Sequence, residues 1–266
     1  MAITTSTVIY EKRDRVAYIT MNRPEELNAL NTEIVNGIND AFTDFRDDND
    51  ALVCVFTGAG GRAFSAGADI KQAAARRAAL ERGEPPPPPS RASIPTVITN
   101  LKVFKPIIAA IDGFCLAGGN ELAVQCDIRI ATAQSQFGFP NPRFMGSAPR
   151  DIVEQVPWGE AMYILLTGSR VPAEVALRMG FIHSIHPDRE SLMKEADRIA
   201  GEILLCMPLA VQATKELLYL EHVAKLPHDE LQKRAAQVSQ RVQQSEDSRE
   251  GPKAFSERRK PVWKMR

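Results

Sequence analysis

Gly118, Gly119 and Glu121 stand close together near the middle of the chain, inside a run that is otherwise apolar. Glu121 is the one carboxylate between Leu116 and Cys126. A carboxylate among apolar residues is costly unless it is paired or does chemistry, and burial favours its protonated form, which suits a general acid or base. Glycines at a helix N-terminus leave backbone N–H groups open to negative charge. The pattern predicts an acid/base beside an oxyanion stabiliser, or else a Gly-Gly turn whose glutamate bonds to nearby backbone.

A second loop with similar properties precedes this run. It reads Ala-Phe-Ser-Ala-Gly-Ala-Asp-Ile over residues 63–70. Gly67 allows a ligand to approach the backbone closely, Ala66 and Ala68 add little bulk, and Asp69 can cap the helix that follows. The loop is therefore a candidate for presenting backbone N–H groups to a ligand, although small residues and glycine are also typical of ordinary turns.

Short buried strands are predicted on both sides of the central run, at Ile107–Ile111 and Ile128–Ala131, and the run from Leu116 to Cys126 is predicted to be a buried helix. Further strands are predicted at residues 7–11, 16–22, 52–57 and 181–185, and residues 137–149 are predicted to be loop. Helices are predicted at residues 32–47, 71–83, 94–103, 151–155, 160–167 and 172–179, and from 189 onward with breaks at 206–208 and 226–227. The strand-strand-helix rhythm repeats loosely at about 45 residues, which indicates a stacked superhelical core.

Five consecutive prolines occupy Pro85–Pro89. Such a run forms a polyproline II segment without backbone donors. We expect a stiff surface loop, and a long connection of this kind is often a lid. The alternative is a ligand for a proline-recognition module.

The composition is that of an ordinary globular protein, with 266 residues, 44% hydrophobic and 25% charged. The net charge is +0, from 33 basic and 33 acidic residues, so the bulk charge indicates no nucleic-acid partner. No apolar run approaches the roughly 20 residues that span a bilayer, so no membrane partner is expected. The polar start from Met1 to Tyr10 lacks a signal-peptide core.

The four cysteines, Cys54, Cys115, Cys126 and Cys206, are widely spaced, and three of them lie in apolar runs. They are expected to be free thiols in a reducing compartment, and we therefore expect a cytoplasmic protein. No Cys-x-x-Cys or His-x-x-x-His spacing is present, so the sequence predicts no metal site.

Five segments in combination resemble the crotonase (enoyl-CoA hydratase/isomerase) superfamily. They are Asn22-Arg23-Pro24 with residues 27–30, residues 63–70, Lys105–Phe139, Leu166-Thr167-Gly168 with residues 173–180, and Ser245–Lys264. Each segment alone is weak evidence for the family, but together the segments follow the family order across nearly the whole chain. The last segment is especially similar to the carnitinyl-CoA (crotonobetainyl-CoA) dehydratase branch.

The resemblance implies an α/β fold: a superhelical spiral of ββα units over residues 1–200 that holds an acyl-CoA site. It implies a C-terminal helical region, residues 201–266, that is used in trimer assembly, often as a dimer of trimers. A homotrimer or hexamer also agrees with the apolar faces of the C-terminal helices. Coenzyme A is expected as part of the thioester substrate, with no permanently bound cofactor.

The resemblance also assigns roles to residues. The backbone N–H groups of Ala68 and Gly118 would hold the thioester oxygen as it becomes an enolate, with Glu121 as the acid/base. The positions that match contacts with CoA are Arg23, Ala29, Ala66, Ala68, Asp69 and Ile70 and, from a neighbouring subunit, Phe255 and Arg258. Arg258 replaces the commoner lysine and can still contact phosphate.

One position departs from the family pattern. Family hydratases carry a second glutamate after Phe-Gly-x-Pro, and here that residue is Asn141. The loop that follows is shorter than usual. An asparagine orients water or substrate but accepts no proton at neutral pH. Asp151 or Glu154 would be a substitute acid if the loop folds inward, the alternative being solvated charges at a helix start.

These observations favour hydration of a 2-enoyl-CoA, or the reverse dehydration. An enoyl-CoA double-bond isomerase, which needs one base, is the first alternative, and retro-Claisen hydrolysis of a cyclic β-keto acyl-CoA is the second. A CoA-binding regulatory or RNA-binding protein with degraded chemistry fits less well, since the charge is neutral and Glu121 is retained. No serine stands at a nucleophile position in the glycine loops, which argues against a serine protease.

Overall fold

The computed structural model describes residues 5–144 and 151–265. In this part of the chain, short strands and helices alternate up to residue 186, and helices follow. The strands are β1 (Val8–Arg13), β2 (Val16–Met21), β3 (Val53–Gly58), β4 (Ala63–Ser65), β5 (Ile107–Ile111), β6 (Phe114–Leu116), β7 (Ile128–Thr132), β8 (Gln136–Gly138), β9 (Arg170–Pro172) and β10 (Ser184–His186). The helices are α1 (Thr32–Asp47), α2 (Ile70–Glu81), α3 (Gly118–Val124), α4 (Asn141–Phe144), α5 (Trp158–Thr167), α6 (Ala173–Arg178), α7 (Arg189–Leu205), α8 (Pro208–Leu218), α9 (His228–Gln244) and α10 (Asp247–Ser256).

The larger sheet has the strand order β1-β2-β3-β5-β7-β10. β1 and β2 form an antiparallel hairpin, and the other neighbours are parallel. Both faces of β3 are buried: Cys54 and Phe56 join one apolar cluster, and Val53 and Val55 join the other. This double burial explains why the inner strands are continuous apolar runs without polar alternation.

The smaller sheet has the order β4-β6-β8-β9, in which β4, β6 and β8 are parallel and β9 is antiparallel. Each turn of the chain gives one strand to each sheet and then a helix: β3-β4-α2, β5-β6-α3 and β7-β8-α4. The predicted α/β spiral of ββα units is confirmed. Because β4, β6 and β8 are parallel, the loops that follow them leave from one edge of the smaller sheet.

Two long helices pack on the larger sheet. In α1, Ile34, Ile38 and Phe42 are fully buried, and the Asn31 side chain caps the helix by accepting a hydrogen bond from the Ile34 N–H. On the other face of the sheet, α7 packs with Leu192 and Ala196 against the cluster that contains Val53 and Val55.

The helices after α7 are joined by charged contacts. The Glu216 carboxylate on α8 is 2% exposed and lies between Arg234 and Arg241 of α9. The carboxylate of Asp247 on α10 accepts from the backbone N–H groups of Lys264, at 2.8 Å, and Met265, at 2.9 Å. These contacts hold α9 against α8 and the last described residues against α10.

Three element predictions were wrong in detail. Residues 94–103 form two 3₁₀ turns, Ile94–Thr96 and Thr99–Leu101, and no continuous helix, because a proline stands in the first turn and Lys102 adopts a left-handed conformation at φ 52°. The helix predicted from Leu116 begins at Gly118, because Phe114–Leu116 pair as β6. The strand predicted at residues 181–185 is Ser184–His186.

Two further predictions need correction. Residues 137–149 are not all loop: Gln136–Gly138 form β8 and Asn141–Phe144 form a helical turn, while residues 145–150 lie outside the described part. The repeat is not regular either, since equivalent strands begin at Val53, Ile107 and Ile128. The long insertion that contains α2 and the prolines accounts for the uneven spacing.

Within residues 5–144 and 151–265, no single helix combines the length and the apolar composition needed to cross a membrane. One pair of successive helices, Arg189–Leu205 and Pro208–Val223, meets both criteria jointly but is bent by 103°.

Candidate active site

Three loops meet where the parallel strands of the smaller sheet end. Ala68 follows β4, Gly118 follows β6 and Asn141 follows β8. The strand ends are tied together, since the Ala117 N–H donates to the Gly138 carbonyl at 2.9 Å. The fold therefore brings together three segments that the sequence singled out separately.

The loop after β4 is held from below by Ser65, whose side chain is fully buried. Its hydroxyl donates to the Asn28 carbonyl at 2.8 Å and accepts from the Gly67 N–H at 3.1 Å. The Leu30 N–H donates to the Gly67 carbonyl at 2.8 Å. The Ala68 N–H donates to no protein acceptor among the described residues. The other polar groups of the loop named here are hydrogen-bonded within the chain, and the Ala68 N–H stays available as a donor.

Asn28 supports the same loop with a fully buried side chain. Its Oδ1 accepts from the Arg23 N–H at 2.9 Å, and its Nδ2 donates to the carbonyls of Ala59, at 3.0 Å, and Ala63, at 2.7 Å. Buried amides are stable when their hydrogen bonds are made, as they are here. Asn28 therefore joins the loops that flank β3 and β4 into one unit.

The loop after β6 contains a strained residue. Ala117 has φ 48° and ψ −120°, a conformation that costs of order 1–3 kcal/mol for a residue with a side chain. It turns the chain sharply from β6 into α3, and the N–H of Gly118, at the start of α3, has no acceptor in the described part of the chain. The strained Ala117 therefore directly precedes a second available donor, the Gly118 N–H.

Gly67 brings the two loops into contact. It has φ +96°, and a Cβ at this position would lie 2.7 Å from the Ala117 Cβ and 3.1 Å from the Gly118 nitrogen. Only glycine fits such an approach without a shift of the backbone. Because of this contact, Ala68 and Gly118, whose N–H groups have no acceptor among the described residues, lie in adjoining segments.

Glu121 lies in α3, within the first turn after Gly118, and its N–H donates to the Ala117 carbonyl at 3.0 Å. Its side chain is partly exposed, whereas the sequence predicted a buried carboxylate. Its neighbours Asn120, Leu122 and Ala123 in the same helix are buried, so the exposure is confined to the Glu121 position. The carboxylate is thus on the same short helix as one of the two available N–H groups.

Asn141 begins α4 and is partly exposed as a residue. Its Oδ1 is buried and has no hydrogen-bond partner among residues 5–144 and 151–265. A buried amide oxygen of this kind is an acceptor that a water molecule or a substrate hydroxyl can use.

Asp151 and Glu154 were the two candidates for a substitute acid. Glu154 is exposed and pairs with Lys225 at 2.8 Å, so it agrees with the interpretation as a surface charge. The side chain of Asp151 lies outside the described residues.

Arg23 and Asp69 form an ion pair at 3.1 Å beside the loop after β4, and the Arg23 guanidinium also donates to the Ala29 carbonyl at 2.6 Å. Burial opposes ionisation of Asp69, but the Gln72 N–H and the Arg23 guanidinium outweigh it, so the pKa of the carboxyl lies below its ordinary value. The Ala66 N–H donates to the Leu27 carbonyl at 3.0 Å. The side chain of Ile70, at the start of α2, is 61% exposed. These predicted CoA-binding positions therefore lie together along one rim of the site.

Phe255 and Arg258 are not brought to this rim within the chain. They lie in and just after α10, which packs against α9, and the Phe255 ring is 87% exposed. The Arg258 guanidinium forms no hydrogen bond or ion pair with any described residue.

Sequence reasoning missed several residues that hold the site. It included Asn28 and Ser65 in motifs but gave them no role, and it passed over the strained Ala117. The available signal was a polar side chain inside an otherwise small and apolar motif. Within the described ranges, no group of three or more His, Cys, Asp or Glu side chains is arranged to hold a metal ion.

Comparison with known proteins gives consistent likenesses. The sequence pattern described as enoyl-CoA hydratase/isomerase matches residues 11–266. Enoyl-CoA hydratase EchA19 of Mycobacterium tuberculosis is 35% identical over 262 residues, which cover 97% of this chain and 96% of that protein. A carnitinyl-CoA dehydratase of Citrobacter koseri is 32% identical over 266 residues, which cover 97% of this chain and 98% of that protein. A crystal structure of enoyl-CoA hydratase from M. tuberculosis H37Rv has a TM-score of 0.84 at 32% identity, covering 98% of this chain and 100% of that one.

Proposed function

Because the chain belongs to the enoyl-CoA hydratase/isomerase family, we propose that it is a lyase that adds water to a 2-enoyl-CoA or removes water from a 3-hydroxyacyl-CoA. The observation that carries the proposal is the pair of available N–H groups, Ala68 and Gly118, beside Glu121. The curated relatives named above include both a hydratase and a dehydratase, which are the two directions of this reaction.

The N–H groups of Ala68 and Gly118 would act on the thioester oxygen. When water adds to C3, the electron pair of the double bond moves through C2 and the carbonyl carbon onto this oxygen. Two fixed donors stabilise that charge most as it develops, and removing one such donor typically costs about 10²–10³-fold in turnover. The buried bonds of Ser65 and Asn28 support this role because they hold the loop before the substrate arrives.

Glu121 would transfer the proton. As a carboxylate it takes a proton from water while the water oxygen bonds to C3, and an enolate forms on the thioester. The enolate then collapses as C2 takes a proton from the Glu121 carboxyl, which restores the carboxylate. The balance is one hydroxyl on C3 and one hydrogen on C2, with no external acid required.

Asn141 would orient the water. Its buried Oδ1 can accept a hydrogen bond from the attacking water, but an amide takes no proton at neutral pH. A single carboxylate then does the work that family hydratases divide between two. We expect a lower turnover than that of a two-carboxylate hydratase for this reason.

Coenzyme A would enter as part of the substrate along the rim formed by Arg23, Ala29, Ala66 and Asp69, and we propose no permanently bound cofactor. Phe255 and Arg258 would reach CoA from a neighbouring copy in a homotrimer or a dimer of trimers. The 87% exposure of the Phe255 ring supports this assignment. Residues 1–200 would then form the catalytic core and residues 201–266 the oligomerisation region.

A double-bond isomerase is the second candidate, and the observation that favours it is Asn141 itself. Isomerisation moves one proton between C2 and C4, so one carboxylate beside an oxyanion hole suffices. In that case Asn141 would hydrogen-bond the substrate, and no water would be activated.

The test is to incubate the protein with a panel of 2-enoyl-CoA, 3-enoyl-CoA, carnitinyl-CoA and cyclic β-keto acyl-CoA thioesters in heavy-oxygen water. Hydration places one heavy oxygen on C3, isomerisation moves the double bond without a mass change, and hydrolysis places the heavy oxygen in a new carboxylate. Liquid chromatography coupled to mass spectrometry separates the three outcomes, because the isomers of equal mass differ in retention time. Absence of a 3-hydroxyacyl product and of dehydration across the panel would refute the proposed lyase.

A further inference from the structure

Gln125 lies at the C-terminal end of α3 and is 9% exposed. Its Nε2 donates to the carbonyls of Ile94, at 2.9 Å, and Glu121, at 3.0 Å. Its Oε1 accepts from the N–H groups of Ile98, at 2.8 Å, and Thr99, at 3.3 Å. A glutamine amide has two donors and two acceptor sites, so this side chain uses all of its hydrogen-bonding capacity.

These bonds replace part of the helix. The backbone N–H of Gln125 donates to the Leu122 carbonyl at 3.2 Å, and not to the Glu121 carbonyl four residues earlier. The side-chain amide satisfies the Glu121 carbonyl in its place. One amide group therefore joins the backbone of Glu121 to the segment 94–99.

Ile94, in that segment, lies directly beside Gly118. A Cβ at Gly118 would be 3.2 Å from the Ile94 Cγ2 and 3.5 Å from its Cδ1. A thioester held by the Gly118 N–H is consequently within reach of the Ile94 side chain. The Gln125 amide links the backbone of Ile94 directly to that of Glu121, the proposed acid/base.

The chain just before this segment is held by contacts of the polyproline run and of Arg91. The Pro87 carbonyl accepts from the Arg76 guanidinium at 3.0 Å, and the Pro88 carbonyl accepts from the Thr32 hydroxyl at 3.4 Å. The Arg91 N–H donates to the Asn36 side chain at 2.7 Å. The polyproline run is thus tied to α1 and α2, and Gln125 supplies the matching attachment on the side of α3.

We propose that Gln125 is a positioning residue that fixes Ile94 against Gly118 and thereby sets which acyl groups the site accepts. The inference rests on the proposed acyl-CoA function. A fixed apolar side chain beside the thioester favours short acyl groups that pack against it. When the segment is released, short groups lose that contact and longer groups gain room, so selectivity changes more than binding of CoA does.

The test compares Gln125→Met with Gln155→Met. Methionine keeps the volume of glutamine and removes all four hydrogen bonds. Gln155 is an exposed glutamine that donates to the Val124 carbonyl of α3 at 3.5 Å and does not hold the segment 94–99, so it is a matched control. The kcat and KM of each variant are measured with a four-carbon and a ten-carbon 2-enoyl-CoA, together with the melting temperature.

We expect Gln125→Met to shift the ratio of the two kcat/KM values about tenfold toward the longer substrate, mainly through kcat of the shorter one. Hydrogen exchange of the Ile98 and Thr99 amides should accelerate in this variant alone. Gln155→Met should leave the ratio within about twofold. A lower melting temperature with an unchanged ratio would mean that Gln125 only stabilises the fold, and the inference would be wrong.

Failure of the proposed function is distinguishable from failure of this inference. If the wild-type protein hydrates neither thioester and neither hydrates nor dehydrates any member of the panel described above, the lyase proposal fails, and the ratio of the two dissociation constants becomes the readout. A shift of that ratio in Gln125→Met still supports the positioning role, and an unchanged ratio overturns it.

Discussion

The loops at the edge of the smaller sheet and the C-terminal helices differ in how far their side chains find partners within one chain. Asn28 and Ser65 under the loops are fully buried, and each makes hydrogen bonds inside the chain. On α10 the Phe255 ring is 87% exposed, and Val262 beyond it is 66% exposed. The hydrogen bonds of the first region are made within one chain, whereas the second region exposes apolar side chains.

The two regions are also held by different forces. Buried neutral hydrogen bonds hold the loops, and losing one partner of such a bond costs about 1–3 kcal/mol. At the C-terminus, Arg259 pairs with Glu250 and Glu257 at the surface, where solvent and salt screen an ion pair and it adds little to stability. We therefore expect changes in the loops to act within one chain, and changes on α10 to act through a neighbouring copy.

The largest expected effect is that of Glu121→Gln in the first region. Glutamine keeps the shape of glutamate but transfers no proton, so turnover should fall by at least about 10²-fold while CoA affinity stays nearly constant. Steady-state kinetics and calorimetry with CoA provide the measurement. A variant within threefold of wild type would remove Glu121 from the mechanism.

The second prediction tests whether Phe255 and Arg258 act on the site of a neighbouring copy. Phe255→Ala combined with Arg258→Ala should raise KM for the thioester about tenfold, since a charged contact to phosphate and an apolar contact are lost. Mixing this variant with Glu121→Gln during refolding should restore part of the activity, because in mixed oligomers some of the intact Glu121 side chains lie next to an intact Phe255 of a neighbour. The oligomeric state is checked by sedimentation.

No recovery in verified mixed oligomers would show that Phe255 and Arg258 do not act across subunits. A monomer at micromolar concentration would contradict the proposed assembly itself.

Ser65→Ala tests whether the buried hydrogen bonds under the loop after β4 support turnover as well as stability. It leaves the Gly67 N–H and the Asn28 carbonyl without a buried partner, so we expect about 1–3 kcal/mol lower stability and about tenfold lower kcat, because Ala68 loses its fixed position. Thr57→Val is the matched control, since the buried Thr57 hydroxyl donates to the Ala110 carbonyl at 2.8 Å away from the site. Both variants should lose stability in denaturant titrations, but only Ser65→Ala should lose turnover. Equal kinetic losses would contradict a specific role for Ser65.

Asn141→Glu should have a smaller effect, a gain of about threefold in crotonyl-CoA hydration. A second carboxylate would share the transfer of protons with Glu121, and mutual repulsion should raise one of the two pKa values and sharpen the pH–rate profile. If the protein is an isomerase, the same variant should suppress isomerisation with little gain in hydration. Assays on 2-enoyl-CoA and 3-enoyl-CoA distinguish these outcomes, and no change in either would place residue 141 outside the reaction.

The smallest expected effect concerns Lys105, which begins the segment leading to α3. Its buried ammonium donates to the carbonyls of Phe45 and Asp48, both at 2.7 Å, and burial lowers the pKa of Lys105 to about 8 from 10.5. Between these values the unfolded chain binds more protons, so the contribution of Lys105 to the free energy of unfolding should rise with pH, by about 1–3 kcal/mol.

Urea titrations of wild type and Lys105→Met from pH 7 to 10.5 measure this contribution as the difference between the two proteins. Because Lys105 bonds inside its own chain, the difference should not depend on protein concentration. A difference that is flat with pH, or that falls, would contradict the lowered pKa.

Much of this architecture could be predicted from local patterns. The span of α1, the buried strands around residues 53–58, 107–111 and 128–132, and the helix break before Pro208 all agree with the sequence-based prediction. The two loops with Gly67 and Gly118 were also identified as sites for backbone donors. Periodicity, caps and breakers act over a few neighbouring residues, so they can be recognised in the chain before it folds.

The remaining features depend on residues that are distant in sequence. β4, β6 and β8 have three residues each, too few to produce a pattern, and they exist only through pairing with one another. The contact of Gly67 with Ala117, the bonds of Ser65 and Gln125, the pairing of Glu154 with Lys225 and the exposure of Phe255 all arise from long-range packing. Residue type supplied the candidates for chemistry, but their distances, their burial and their direction follow from hydrogen bonds and contacts that form only when the turns of the spiral stack.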